Sequence, residues 1–214
     1  IDGSTLEQMS TAIVRYSYDP VTGLLDDVEE TQHGEMKTID VFDNSTTVET
    51  INEYNATLLE YGIIKVSTST NTITASDNAD GSQIIQIVPA VTTYTYDETT
   101  PSSLGKLIKV ENTTPGETRN IDAFGNATTT VTENEYDNTG TGLANTQGIV
   151  KASRVKTRIT EVGYYTDVAS IDRQDPNSGY TEGTLIDGTR ITQEVGDASV
   201  VIYEYDSQGN ITNA

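Results

Sequence analysis

Residues 28–54, VEETQHGEMKTIDVFDNSTTVETINEY, return without a gap at 110–136 as VENTTPGETRNIDAFGNATTTVTENEY, with 15 of 27 positions identical. A repeating unit buries its apolar face on its neighbours, so the period sets the architecture. The expectation is a stacked, elongated object rather than a compact enzyme built around one cleft.

The repeat extends outward from this block. A second block opens on Asp-Gly, closes on Tyr-x-Tyr-Asp and occurs three times, at 2–19, 80–97 and 187–206. A third, GIIKVSTSTNTIT at 62–74, returns as GIVKASRVKTRIT at 148–160. Tyr16 and Tyr94 stand 78 apart, Tyr54 and Tyr136 82 apart, and Gly62 and Gly148 86 apart. The spacing grows in two Gly-, Thr- and Asn-rich stretches of loop character, at 97–105 and 136–148. A larger insertion covers Val162–Ile186, with Asp175-Pro176-Asn177-Ser178-Gly179 at its centre. The expected organisation is a first unit with its preceding strand block at 1–93, a second unit at 94–202 carrying the insertion near 163–186, and the start of a third at 203–214. Each unit has roughly 80 residues. Both ends fall inside the repeat frame without a polar cap. The expectation is either a segment of a longer array or ends completed by neighbouring subunits.

Composition narrows the class. The apolar fraction is 34%, Trp is absent, and two Phe stand against twelve Tyr. Thr, Ile and Val are frequent, which favours half-buried pleated surfaces and thin cores. A net charge of −21 argues against nucleic acid and anionic lipid as partners. No apolar run is long enough to span a bilayer, so no membrane insertion is expected. No signal peptide is visible and the chain begins at Ile1, so processing or trimming of the start is expected. Cysteine is absent, and with it disulfide and thiol chemistry.

Alternation dominates the local pattern. Strands are expected at 12–18, 46–54, 63–73, 84–88, 93–96, 128–136, 149–159, 191–195 and 201–205, separated by Asp-Gly, Phe-Gly-Asn and Gln-Gly-Asn turns. No amphipathic helix is expected. Ser4–Met9 could close one helical turn, but its counterpart at 82–88 has strand character. The fold class is therefore all-β, an elongated tandem-repeat antiparallel sheet or sandwich.

The stretch Tyr203-Glu204-Tyr205-Asp206-Ser207-Gln208-Gly209-Asn210-Ile211-Thr212 resembles the YD repeat of Rhs and teneurin-like proteins. Tyr16–Leu25 is similar, and Asp40–Thr46 and Asp122–Thr128 look like degenerate copies with Phe. The resemblance covers short islands set farther apart than the family's close tandem. Physically the motif is a hairpin whose Asp caps the turn and whose Gly supplies the positive φ. The resemblance implies an extracellular or cell-surface β-repeat scaffold.

Candidate chemistry is sparse. His33, the single histidine, aligns with Pro115, so its position does not demand imidazole. No G-x-S-x-G, H-E-x-x-H, phosphate loop or dinucleotide fingerprint occurs. Among 33 acidic residues nothing singles out a glycosidase pair. The chain is accordingly expected not to be an enzyme and to carry no cofactor. Calcium is the one weighed ligand, with Asp77, Asp80, Asp172 and Asp175 as loop oxygen donors. Five N-x-S/T sequons, at Asn44, Asn55, Asn112, Asn126 and Asn210, are candidate glycosylation sites.

The leading functional expectation is a structural subunit of an extracellular filament or surface stalk. It would assemble head-to-tail as a homopolymer by strand addition through exposed β-edges. The polymerising strands would carry Ile13, Val14, Tyr16 and Tyr18 at one end and Val201, Tyr203 and Tyr205 at the other. The alternative is a segment of a giant YD-repeat, Rhs-like adhesin that binds carbohydrate or a protein partner, with the tyrosine pairs and the insertion as contact surfaces.

Overall fold

The computed structural model describes residues 4–139, 149–171, 175, 177–182, 184–189 and 199–213. It opens with strands β1 (Thr5–Ser10), β2 (Ile13–Tyr18), β3 (Leu25–Gln32), β4 (Gly34–Ile39) and β5 (Ser45–Tyr54). One helical turn, α1 (Ala56–Leu59), leads to β6 (Val66–Asp77), β7 (Gln83–Val88), β8 (Ala90–Tyr96), β9 (Leu107–Thr114) and β10 (Gly116–Ile121). The long strands β11 (Asn126–Tyr136) and β12 (Ala152–Tyr165) follow, then a 3-10 turn at Val168–Ser170 and β13 (Tyr180–Glu182). The short strands β14 (Ser199–Ile202), β15 (Glu204–Tyr205) and β16 (Ile211–Asn213) close the described chain. The protein is all-β and every pairing is antiparallel. One sheet has the order β1-β4-β5-β6-β8-β9, and a second has β13-β12-β11-β10-β7 with β14 also on β12. The hairpins β2-β3 and β15-β16 stand apart as two-stranded sheets.

The pairings share register across the sequence repeat. Gly34 faces Thr50 in β4-β5, and Gly116 faces Thr132 in β10-β11. Tyr54 faces Val66, and Tyr136 faces Ala152. The bulges coincide as well, at Thr47/Val48 and Glu53/Tyr54 in β5 and at Thr129/Thr130 and Glu135/Tyr136 in β11. A one-residue slip would turn every side chain to the opposite face, so a kept register with kept bulges places like residues on like faces.

Four of these strands, β3, β4, β9 and β10, run through polar sequence that sets up no clear alternation. In β3 only Val28 is buried, among Asp26, Asp27, Glu29 and Glu30. Pairing with the more apolar β2 holds it, through the cross-strand aromatic–β-branched pair Tyr16 and Val28. The segment between β5 and β6 forms α1 rather than an open loop. Asn55 caps it by accepting the Leu58 N–H at 2.9 Å, and Leu58 and Leu59 point into the core.

The core is thin, as the composition implies. Its main cluster is Ile85, Ile121, Ala127 and Tyr165, flanked by Ile87, Ile171 and Tyr180. The two large sheets meet where β6 passes into β7. There Gln86 Oε1 accepts the Ile73 N–H at 3.2 Å and Ser76 Oγ accepts the Ile84 N–H at 3.1 Å. Solvent-accessible surface totals 12700 Å², against about 9,700 Å² for a compact monomer of this mass.

The insertion adds β13 to the end of the second sheet, pairing it with Gly163–Tyr165 of β12. Gly163 is required there, because a Cβ would lie 2.8 Å from the Tyr180 ring and closer still to the Thr181 carbonyl oxygen. Beneath β13 lies Arg119, a charged residue in the core. Its Nε donates to Thr129 Oγ1 at 2.9 Å, its Nη2 to Glu161 at 2.5 Å and its Nη1 to Asn177 at 3.3 Å. The guanidinium lies 4.2 Å from the Tyr180 ring centroid, in cation–π contact.

Candidate docking edge

Three copies of the Tyr-x-Tyr-Asp hairpin occupy different surroundings, and the comparison defines the site. In the middle copy, β8 adds to β6: Thr68 faces Thr93, Ser69 faces Thr92, Thr70 faces Val91 and Asn71 faces Ala90. In the last copy, β14 adds to β12 in the same register, with Arg154 facing Ile202, Val155 facing Val201, Lys156 facing Val200 and Thr157 facing Ser199. In the first copy, β2 pairs with β3 alone, and among the described residues its other edge carries no strand.

Two side-chain features accompany the seated hairpins. Tyr96 donates its hydroxyl to the Val66 carbonyl at 2.9 Å, and Tyr205 donates to the Ala152 carbonyl at 2.7 Å. Burial pushes both phenols above their ordinary pKa, so they stay protonated donors. The turn glycine then seats on an isoleucine: a Cβ on Gly105 would lie 3.1 Å from Ile63 Cγ2, and one on Gly209 would lie 3.1 Å from Ile149 Cγ2. In the first hairpin both features lack their counterpart. Tyr18 is 61% exposed and its hydroxyl finds no partner among the described residues, while Gly23 has nothing within 4 Å of its Cβ position. Ile13 and Tyr16 are likewise exposed, as are Leu6 and Met9 on the neighbouring β1. Their sequence counterparts Val91, Tyr94, Ile84 and Ile87 are partly covered.

The hairpin turns are closed by side-chain hydrogen bonds. Asp206 Oδ1 accepts the N–H groups of Gln208 (2.8 Å) and Asn210 (2.9 Å), and Oδ2 accepts the Asn210 side-chain amide (2.9 Å). Asp40 with Phe42 and Asn44, and Asp122 with Phe124 and Asn126, repeat this arrangement. The Asn side-chain amide, with the turn N–H groups, holds the Asp206 and Asp40 carboxyls below the usual carboxylate range. Positive φ falls on Asp43, Gly125 and Gly209 at the matching turn positions. Asp43 is the sole non-glycine among the described residues to adopt it.

The structure distributes the remaining sequence candidates as follows. Ile13, Val14, Tyr16 and Tyr18 lie together on the β2 edge hairpin. Val201, Tyr203 and Tyr205 lie on the seated C-terminal one, where the Tyr203 and Tyr205 rings stand 6.3 Å apart. Asp77 ends β6, and Asp80 Oδ1 caps the following turn through the Ser82 N–H at 2.8 Å. Asp175 caps its own turn through the Asn177 N–H at 3.0 Å, while Asp172 lies outside the described residues. Among the described residues no group of three His, Asp or Glu side chains converges as a metal site would require.

Among the sequons, Asn112 has its side-chain amide donated to the Val91 and Thr114 carbonyls and its Oδ1 on the Asn134 N–H. Asn55 caps α1 and donates to Glu98. Asn44 and Asn126 tie their turns to the Ala79 and Ile186 N–H groups, and Asn210 is exposed. His33 is paired with Glu49 at 2.9 Å.

An acidic cavity of about 330 Å³ is lined by Glu111, Glu133, Glu135, Asn112, Asn134 and Asn138. Its carboxylates already have cations: Lys109 on Glu111, and Lys156 and Arg154 on Glu135. Lys156 first, then Arg154, lowers the Glu135 pKa, the reverse of what a general acid needs. The sequence pattern points to the β2 strand but not to Gly105 and Gly209 as the residues that seat on Ile63 and Ile149. The signal was available in the Ile that follows each of Gly62 and Gly148. No helix among the described residues is long and apolar enough to cross a membrane. Comparison with family models, with curated proteins and with solved structures gave no match.

Proposed function

We propose that this chain is a tandem-repeat structural element of an extracellular filament or surface stalk, elongating by strand addition through exposed β-edges. The observation that carries the reading is the β2 edge, which carries no strand among the described residues, whereas its sequence counterpart β8 is paired with β6. An unpaired edge with exposed Ile13, Tyr16 and Tyr18 is an adhesive surface. Head-to-tail contacts of this kind do not close and so yield fibres. The surface area in excess of a compact monomer fits an element that leaves faces for its neighbours. The role is structural rather than catalytic, with the protein itself as principal partner.

The alternative, one slice of a giant YD-repeat surface protein, is favoured by the recurrence of register and bulges across 82 residues. In such an array the β2 edge would be filled covalently, by a preceding unit. Electron microscopy and sedimentation of the 214-residue chain, from about 10 μM to about 1 mM, the upper figure being the effective concentration typical of linked modules, test the choice. The filament reading expects end-to-end strings that grow with concentration and with salt, which screens a charge of −21. Monomers throughout, with the amides of 13–18 exchanging freely, would overturn it and leave the covalent array.

A further inference from the structure

The C-terminal hairpin of this chain is seated on β12, and the N-terminal hairpin repeats its Tyr-x-Tyr-Asp motif. We infer that β14–β16 acts as an internal plug on β12, and that a second copy's β2-β3 hairpin is the competing occupant. The inference rests on the filament reading and names its contact.

Four observations define the seat. The edge of β12 at 154–157 takes a strand in the register by which β6 takes β8. The carbonyl of Ala152 receives a tyrosine hydroxyl, as does that of Val66. Ile149 meets a turn glycine, as does Ile63. Tyr203 continues the ladder by donating its N–H to the Ser153 carbonyl at 2.9 Å. The β2-β3 hairpin presents every complementary part in the same order: the edge Ala12–Arg15, the exposed Tyr18 with its hydroxyl, and Gly23 at φ +70. Its bulges, at Ile13/Val14 and Ser17/Tyr18, match those of β8 at Val91/Thr92 and Thr95/Tyr96. Seated on β12 it would place Ala12 on Thr157, Ile13 on Lys156, Val14 on Val155 and Arg15 on Arg154.

The plug is weakly held. All four residues of β14 are exposed, whereas their counterparts in β8, residues 90–93, are partly or fully covered. A tethered hairpin nonetheless competes at an effective concentration on the order of 1 mM, so a second copy at micromolar concentration is excluded until the plug is loosened. One position is mismatched: Arg15 would face Arg154, where the resident hairpin has Ile202. Like charges directly opposite oppose pairing, and Glu135, 3.5 Å from Arg154, offsets part of this.

The test uses the full chain and three variants, read by sedimentation velocity. Gly209→Val puts a branched side chain at φ +81 and against Ile149. It is expected to unseat the plug and lower the concentration at which end-to-end oligomers appear at least tenfold. Adding Tyr18→Phe, which removes a hydroxyl exposed in the monomer, should raise that onset again, roughly fivefold for one hydrogen bond. Adding Arg15→Ile instead should lower it further. An onset in Gly209→Val that neither second change moves overturns the assigned seat. A Gly209→Val chain that stays monomeric while the amides of 199–213 exchange freely does the same.

Should Gly209→Val misfold, Ile13→Cys with Lys156→Cys in the otherwise wild-type, cysteine-free chain gives an independent readout. Oxidation near millimolar protein should yield a ladder of disulfide-linked multimers. Ile13→Cys with the off-register Thr160→Cys should not. No ladder, or equal ladders, overturns the inference. Strings that form identically in every variant leave filament assembly standing and remove this seat, whereas strings in none remove both.

Discussion

Replacing Arg119 with Ala should destabilise the protein by about 3 kcal/mol, and the figure follows from the surroundings of the guanidinium. The side chain is 3% exposed and donates to Thr129, Glu161 and Asn177 while stacking on Tyr180. Removing one partner of a buried ion pair costs about 3–5 kcal/mol, because the charge left behind has lost its solvent. Here the Glu161 side chain is 40% exposed, so its carboxylate rehydrates and the pair term falls toward the value of a surface bridge. The Thr129 hydroxyl, 1% exposed, loses the Nε donor at a cost of about 1 kcal/mol, and the cation–π contact with Tyr180, worth about 2 kcal/mol when desolvated, brings the sum back to about 3. Urea denaturation followed by tyrosine fluorescence would measure it, and for a chain of this size the melting temperature should fall by about 6–12 °C. Arg119→Lys, which installs the residue found at the counterpart position Lys37, keeps the charge but not the planar fork, and should cost about half as much. A loss below about 1 kcal/mol for Arg119→Ala would refute the reasoning. It would mean that the cluster under β13 is already hydrated.

Further outcomes follow from the core and from the turns. Leu58→Ala, at a fully buried position on α1, should cost about 2–5 kcal/mol by equilibrium denaturation, and a loss under about 1 would mean the helical turn collapses to fill the space. The turn carboxylates Asp19, Asp40, Asp80, Asp97, Asp187 and Asp206 all titrate below the ordinary range because turn N–H groups and neighbouring side chains donate to them. Depressed pKa values stabilise the fold above the unfolded-state value of about 3.9 and lose that contribution as pH falls through the folded values. Circular dichroism during acid titration should therefore show hairpin loss beginning below about pH 4, and Asp206→Asn together with Asp40→Asn should flatten it. A stability unchanged from neutral pH down to pH 2 would contradict this assignment.

Much of the fold was legible in residue order alone. The alternation in Ile13–Tyr18, Thr93–Tyr96 and Val201–Tyr205 announced strands because one face of each is apolar, and the β-branched runs Ile84–Val88 and Thr128–Val131 announced others. The Asp-x-x-x-Asn turns announced hairpins because side chain and backbone close the turn without help from elsewhere. Strands β3, β4, β9 and β10 were not announced. Their sequences are polar and adopt extended form through their partners, as Val28 does opposite Tyr16. The turn α1 was hidden in Asn55–Leu59 because four residues set no period.

The sequence by itself determined the repeat, the all-β character and the hairpin turns, since each depends on neighbours within a few residues or on identity between distant blocks. Only the tertiary structure decided which hairpin is seated and which is open. Tyr18, Tyr96 and Tyr205 are the same residue in the same local motif, and a strand from another part of the chain separates the exposed one from the two whose hydroxyls are bonded. The burial of Arg119 beneath β13 belongs to the same class: its counterpart is Lys37, and nothing near residue 119 in the chain foretells that Asn177 and Tyr180 will cover it. Long-range pairing places a side chain in water or out of it, and that placement is the quantity that local sequence does not encode.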